Sequence, residues 1–335
     1  MRNYTMLEKK RVLFIAPSFF GYEHDIRKEL NNLGAEVDYF DERPFTSSFL
    51  KILNRLNFKV TLKKRIERYY DEILSMCKDK CYDYLFVISP ETLSVKFLND
   101  VAETNPKMKR ILYMWDSFEN KPNARFVMSE FNSVFSFDPD ACSDTSNIDF
   151  LPLFYSEKFA ASGVGELVKN DYAVCFIGTV HSDRVKLVKE LTSQFSKQGF
   201  ETFEFYYCPS KMLFLLKKVF TSEMKYLTFK EVSFKPMTKE QMIDVLKKSS
   251  AVIDIQHPGQ VGLTMRTFEL LGLGKKIITT NSDIVNYDFY DSSNVEVVCR
   301  DKPLIRNAFM ESEYKHVSTD KYSLESWLKT IFMIG

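Results

Sequence analysis

Short apolar runs alternate along this chain with longer segments in which apolar positions recur every three or four residues, the pattern of strands and helices taken in turn. The first run, Arg11-Val12-Leu13-Phe14-Ile15-Ala16-Pro17, is apolar almost throughout, which suits a strand covered on both faces. The loop Ser18-Phe19-Phe20-Gly21-Tyr22 follows, then a helix over 24–33 stopped by Gly34, then a strand over 36–40. This βαβ opening with short connections predicts a doubly wound sheet. Further strands are predicted at 84–88, 110–114, 133–136 and 150–153. The alternation restarts at 172–178 and runs through a helix near 183–198, a strand at 204–207, a helix near 239–248, and strands at 251–255 and 276–280. Small residues within 156–169 read as a linker, so an N-terminal Rossmann-like domain is expected over 1–155 and a second over 156–320, with a helix near the end of 321–335.

Composition adds mostly exclusions. With 335 residues, 45% of them hydrophobic and 27% charged, the chain has material for two ordinary cores. A net charge of +1 offers no global field for nucleic acid, so an anionic partner must be met by a local patch. Six cysteines are too few for a disulfide scaffold. Cys77 and Cys81 share a helix face without histidines nearby, and no metal site is expected. The first residues carry no apolar signal core and charge interrupts the later apolar runs, so a cytoplasmic protein is expected.

The richest chemistry lies in 254–281, read as strand, polar loop, short helix, glycine stop and strand. Gly262-Leu263-Thr264 would open the helix with its N–H groups towards the loop, a favourable place for a diphosphate. Arg266 and Glu269 lie three apart and share a face: arginine suits phosphate, glutamate suits ribose hydroxyls. His257 and Gln260, in the loop before the helix, offer hydrogen bonds to phosphate or sugar, or else cap and pack. Upstream, Gly178-Thr179-Val180-His181-Ser182-Asp183-Arg184 ends a strand, where open α/β sheets gather ligands. Gly178 permits close approach, Thr179 and His181 offer polar groups, and Arg184 can reach phosphate; the plainer reading is a tight turn with a solvated arginine. The first loop lacks G-x-G-x-x-G, so no dinucleotide fingerprint opens the chain.

Gly262-Leu263-Thr264-Met265-Arg266-Thr267-Phe268-Glu269 with Ile277-Ile278-Thr279-Thr280-Asn281 resembles the donor site of GT-B glycosyltransferases, more narrowly those of bacterial lipopolysaccharide and capsule assembly and, distantly, the spore-maturation type. The resemblance covers most of the chain, though its sharp motifs take up little of it. It implies two Rossmann-like domains facing a central cleft, with a C-terminal helix crossing back to the first. It implies no cofactor, and a nucleotide-sugar donor that is UDP-, dTDP- or GDP-linked ahead of CMP-linked, without a metal. Many retaining members carry a second glutamate eight residues before the ribose-binding one; Val261 stands there, so stereochemistry is not carried over. Tyr113-Met114-Trp115-Asp116-Ser117 also matches the resembled enzymes. There Asp116 would accept the acceptor proton, with His24 as rival base, and Trp115 and Tyr22 would meet the acceptor sugar. Helix-cap and core roles are the plain alternatives for all four.

Lys51, Arg55, Lys59 and Lys63, within the basic run 51–68, recur every four residues among apolar ones, and 211–220 is a second lysine-flanked apolar stretch. Either suits the inner membrane surface and a lipid-linked acceptor, or an amphipathic helix with its lysines in water. The reading is transfer of sugar onto a growing bacterial surface glycan. Its rivals are a nucleotide-sugar epimerase or hydrolase on the same fold, and a non-catalytic sugar- or nucleotide-binding subunit of an assembly complex.

Overall fold

The computed structural model describes residues 6–44, 59–143, 145–160, 170–221 and 224–334. They form two compact units: Met1–Pro152 with Leu324–Gly335, and Leu153–Ser323. The division falls at 152/153 and 323/324, where the sequence pattern suggested 155/156 and 320/321.

The first unit opens with β1 (Arg11–Ala16), α1 (Tyr22–Asn32) and β2 (Glu36–Asp41), followed by α2 (Lys59–Cys77), β3 (Tyr84–Ile88), α3 (Val95–Thr104) and β4 (Lys109–Met114). It continues through α4 (Pro122–Val127), β5 (Ser133–Ser136), α5 (Pro139–Ser143) and β6 (Asp149–Phe150). The sheet is parallel throughout, in the order β2-β1-β3-β4-β5-β6. A parallel sheet needs cover on both faces, and the alternation of side chains along each strand supplies it. Leu13, Ile15, Leu85 and Val87 point to one face and pack with Tyr70 and Ile73 of α2 and Phe97 and Leu98 of α3. Phe14 and Phe86 point to the other, where their rings stack 5.4 Å apart. The last helix of the chain, the eventual α11 (Leu324–Ile334), belongs to this unit and lies beside α1. Its Trp327 is fully buried, 4.6 Å from the Tyr113 ring and 6.0 Å from that of Phe86.

The second unit contains β7 (Tyr172–Thr179), α6 (Arg184–Ser196), β8 (Thr202–Tyr207), α7 (Lys211–Phe220), β9 (Val232–Ser233) and α8 (Lys239–Lys247). Then come β10 (Ser249–Asp254), α9 (Met265–Gly272), β11 (Lys276–Thr279), β12 (Val295–Val297) and α10 (Asn307–Glu311). Its sheet is also parallel, in the order β12-β11-β10-β7-β8-β9. Val174, Phe176, Ala251, Ile253 and Ile278 form the core with Val185, Val188 and Leu191 of α6. In both sheets the strand order reverses beside the first strand, between β1 and β3 and between β7 and β10. These are the switch points at which doubly wound sheets open a crevice for ligands.

Several local expectations change. The strand expected over 150–153 is only Asp149–Phe150, because Pro152 brings no N–H to a ladder. Of the stretch read as a linker, 161–169 lie outside the described residues; Phe159 is buried, and Tyr155 bridges to Ser323 within the second unit. Gly272 makes room for this return, since a Cβ there would lie 2.7 Å from the Phe159 carbonyl and the Tyr155 ring. Of the basic run, 51–58, with Lys51 and Arg55, lie outside the described residues. From Lys63 onward α2 turns Ile66, Tyr69 and Tyr70 inward and leaves Lys63, Lys64, Arg65 and Arg68 exposed. Elements beyond the sequence pattern include α3, whose N-cap Ser94 accepts from Phe97 N–H, and the short β9 and β12.

Removing the indole that seals the aromatic face of the first sheet should be costly. Trp327→Ala is expected to destabilise the first unit by about 3–5 kcal/mol, read as a lower urea midpoint for that unit's transition, the usual range for emptying a buried aromatic site.

Candidate functional site

The second unit concentrates its polar side chains at the switch point. Where β7 ends, Gly178 lacks the Cβ that would meet the Phe176 ring at 2.7 Å, and the Arg184 guanidinium lies 3.4 Å from that vacant position. From the first residue of α6, Arg184 reaches back across the sheet. Its Nη1 donates to the Thr179 carbonyl at 3.1 Å and its Nη2 to the Ile255 carbonyl just after β10. One side chain thus ties together the two strand ends that flank the crevice. Burial, with Arg300 and Arg266 nearby, pushes Arg184 down to about 10, while Asp254 favours its charge; it stays cationic at neutral pH. Its Nε is buried and has no hydrogen-bond partner among the described residues. A buried donor without an acceptor is costly in a finished structure and natural where a ligand completes the set.

More cations converge here. Arg300, just beyond β12, donates from Nη2 to the Gln256 carbonyl at 2.8 Å and from Nη1 to the Asp183 carboxylate at 2.8 and 2.9 Å. Arg184 and Arg300 therefore hold successive carbonyls of the loop after β10. The imidazoles of His181 and His257 stack 5.4 Å apart. Burial, then Arg184, His257, Lys217 and Arg300, push His181 down to about 3, so it is neutral at physiological pH. Its neighbour Ser182 has φ 48°, a left-handed conformation that a non-glycine residue adopts at some cost, and its hydroxyl lies 2.9 Å from His181 Nδ1.

The start of α9 is already engaged. Thr264 caps it, its hydroxyl accepting from Thr267 N–H, and the Thr264 and Thr267 hydroxyls both donate to Asp254 Oδ2, at 2.7 and 2.6 Å. A carboxylate of the chain itself thus stands at the helix start where an external anion was expected. Gln260 donates to the Gly262 carbonyl at 2.8 Å and Asn281 to that of Val261, which fixes the loop. Leu263 is buried in the core, which leaves only its backbone to any ligand. Arg266 pairs with Glu269 at 2.8 Å, and Glu269 is 1% exposed, so the pair is an interior one rather than a solvated surface couple.

Gly178, Thr179, His181, Arg184 and His257 are brought together as one patch, while Gln260, Gly262 and Thr264 shape the loop beside it. His257 is exposed, its Nδ1 2.9 Å from the Pro258 carbonyl. Arg300 and Asp254 were not singled out by sequence. Each follows or ends a parallel strand, and that position was the available signal. Among the described residues no group of three His, Cys, Asp or Glu side chains is placed to hold a metal ion.

In the first unit the loop after β1 turns through Phe20 and Gly21, at φ 51° and 78°. Buried Glu23 fastens it, accepting from the Ser18 hydroxyl at 2.9 Å and from Phe19 N–H at 3.0 Å. Phe19 and Phe20 are exposed, and the Phe19 ring lies 6.0 Å from Trp115 and 6.3 Å from the mostly buried Tyr22. His24 is largely exposed, 3.6 Å from Glu23 and edge-on to Tyr39. Asp116 Oδ1 accepts from Ser117 N–H and Asn120 Nδ2, both at 2.9 Å, while its Oδ2 faces Lys121 Nζ at 3.9 Å. Tyr22 and Trp115 therefore share one aromatic neighbourhood through Phe19, His24 lies apart from it against Tyr39, and Asp116 follows Trp115 directly.

No family model and no curated protein matches the sequence. Solved structures do. A glycosyltransferase from Rickettsia africae is 13% identical, with 97% of each chain covered and a TM-score of 0.57. Anabaena HepE in complex with UDP-glucose is 10% identical over 97% of this chain and 98% of its own, with a TM-score of 0.58. The UDP-GlcNAc 2-epimerase of Methanocaldococcus jannaschii, in complex with UDP-GlcNAc and UDP, is 11% identical over 97% of this chain and all of its own, with a TM-score of 0.52. With two parallel doubly wound sheets in the orders described, the chain has the GT-B fold, two Rossmann-like domains in one polypeptide.

Proposed function

We propose that this protein is a glycosyltransferase that takes a sugar from a nucleoside-diphosphate donor and places it on a bacterial surface glycan or its lipid-linked precursor. The observation that carries the reading is Arg184: a buried guanidinium with an unused donor at the switch point, joined by Arg300, Arg266 and two histidines. Such a cluster suits a diphosphate, and a fixed set of cations stabilises the charge that develops on the leaving group. Those cations take over what a divalent metal would otherwise do, so turnover should persist in EDTA. Glu269 is assigned the ribose hydroxyls on the resemblance of its motif; at 1% exposure and paired with Arg266, it meets them only when that pair parts. A UDP-, dTDP- or GDP-linked donor is the expected class. The exposed rings of Phe19 and Phe20 with Trp115 favour transfer over epimerisation or hydrolysis on the same fold, because only transfer needs a platform for an acceptor sugar. Asp116, through Oδ2, is assigned the acceptor proton, with His24 the rival.

Titration calorimetry with UDP, dTDP, GDP and CMP tests the donor site. One diphosphate should bind, and Arg184→Ala or Arg300→Gln should weaken it by about tenfold or more, the usual cost of a charge-assisted hydrogen bond, with the circular dichroism unchanged. A folded variant with wild-type affinity, or binding by none of the four, overturns the assignment. Product analysis with and without an acceptor glycan then separates transfer from epimerisation and hydrolysis.

His181 supplies a pH signature. In the free protein its site disfavours the imidazolium and holds it down at about 3. A bound diphosphate brings negative charge and raises that value, so the complex holds more protons than the free protein below the imidazole's ordinary range, about 6.5. By linkage, affinity should rise as pH falls through the raised value in the complex. Calorimetry in buffers of different ionisation enthalpy, stepped down from neutral pH, should show proton uptake that grows as pH falls towards the free-protein value of about 3, absent in His181→Asn.

The base is tested by rate. Asp116→Asn should lower turnover by about 10²–10⁴-fold with little change in donor affinity. Near-normal turnover in that variant with a large loss in His24→Ala moves the role to His24.

A further inference from the structure

Helix α7 buries one residue and leaves an apolar face in solvent. Ser210 caps it, accepting from Leu213 N–H, and Phe214 is fully buried, 4.9 Å from the Phe229 ring and 6.0 Å from that of Phe234. Met212, Leu215, Leu216, Val219 and Phe220 are exposed, Met212, Val219 and Phe220 by 66, 74 and 77%. Their spacing, 0, 3, 4, 7 and 8 along the helix, is that of a continuous stripe on one face. Tyr226 and Phe229, in the segment that follows, are exposed as well. Lysines frame the stripe: residues 209–230 contain Lys211, Lys217, Lys218, Lys225 and Lys230 against a single acid, Glu223. Lys218 Nζ donates to the Leu227 carbonyl, and Lys225 lies over the Tyr226 ring at 4.8 Å.

We propose that this face of α7 docks the second unit on an anionic lipid surface, its apolar stripe entering the acyl boundary and its lysines meeting the headgroups. Long lysine stems can cover apolar surface while keeping their charge in the interfacial layer. The excess of lysine decides among occupants. A two-fold contact with another copy would set the same lysines against one another, whereas an anionic bilayer answers every one of them. The described part of α2 shows the contrast, since its lysines sit opposite side chains that enter the core. Lys217 is within electrostatic reach of His181, so the docking helix borders the anion pocket, and a membrane on α7 would lie beside it.

Flotation of the full chain with vesicles tests this. Wild type should float with phosphatidylcholine–phosphatidylglycerol vesicles, not with phosphatidylcholine alone, and should detach as salt rises. The surface triple variant Leu215→Ser, Val219→Ser, Phe220→Ser should lower the partition coefficient by about tenfold or more, and Lys211→Gln with Lys225→Gln by a comparable factor. Both should keep wild-type nucleotide affinity and thermal midpoint. No binding to either vesicle, equal binding to both, or undiminished flotation of the triple variant overturns the proposal. So does a concentration-dependent dimer that the triple variant abolishes, which would assign the face to a second copy.

Discussion

The candidate site depends on Arg184 bridging the crevice of the second sheet. Neighbouring strands at a switch point are hydrogen-bonded to each other, but their connections leave in opposite directions, so nothing in the ladder fixes the loops above them. By donating to the Thr179 and Ile255 carbonyls, Arg184 fixes both at once, and Arg300 extends the tie to Gln256. The arrangement costs desolvation of a guanidinium, only partly returned by neutral carbonyl acceptors and the nearby Asp254. What remains unmet is the buried Arg184 Nε, which has no acceptor among the described residues.

In the first unit a buried side chain of the opposite charge fixes one of the two loops, the one after β1. Glu23, nearly fully buried, draws the loop after β1 onto the start of α1 through the Ser18 hydroxyl and the Phe19 amide. Fastening the loop by its backbone turns the Phe19 and Phe20 rings outward. Left-handed backbone at Phe20, Ser89 and Ser182 falls in the loops after β1, β3 and β7, three of the four strands that flank the two switch points. Strain of this kind persists only where surrounding contacts over-determine it, and here those contacts are the buried Glu23, the Ser89–Trp115 hydrogen bond and the Arg184 bridge. Each unit thus fixes the backbone of a loop beside its own switch point: the second through Arg184, and the first through Glu23, which leaves the Phe19 and Phe20 rings exposed.

Much of the fold was legible because buried parallel strands are written as unbroken apolar runs. Strands 84–88 and 133–136 were read to the residue. Short pieces such as β9 and β12 escaped, since two or three residues carry no period. At the site, position was easier to read than partnership. Arg184 and Arg266 were visible as cations near strand or helix ends; the Arg266 partner Glu269 lies three residues on and was legible, whereas the Ile255 carbonyl that Arg184 reaches lies 71 residues away and was not. Arg300 was invisible for the same reason: its partners, Asp183 and Gln256, lie more than forty residues off in the chain. The helix start at Thr264 looked open to an anion only because Asp254, ten residues earlier, gave no sign that it would turn back to meet it.

The lysine-rich helices mark a sharper limit. A period of 3.6 residues shows that a helix has an apolar face but not which way that face is turned. Both α2 and α7 read as basic and apolar, and they are resolved only by what lies against them. In α2, Tyr70 and Ile73 meet Phe97 and the first sheet, so the described part of the helix is consumed by its own core. In α7, Phe214 alone is fully buried, with Leu213 partly buried against the same core. Burying one ring instead of a stripe gives up several kcal/mol of available burial, at about 1.5–3 kcal/mol for each large apolar side chain. That forgone burial is the physical ground for expecting something other than water on the outer face.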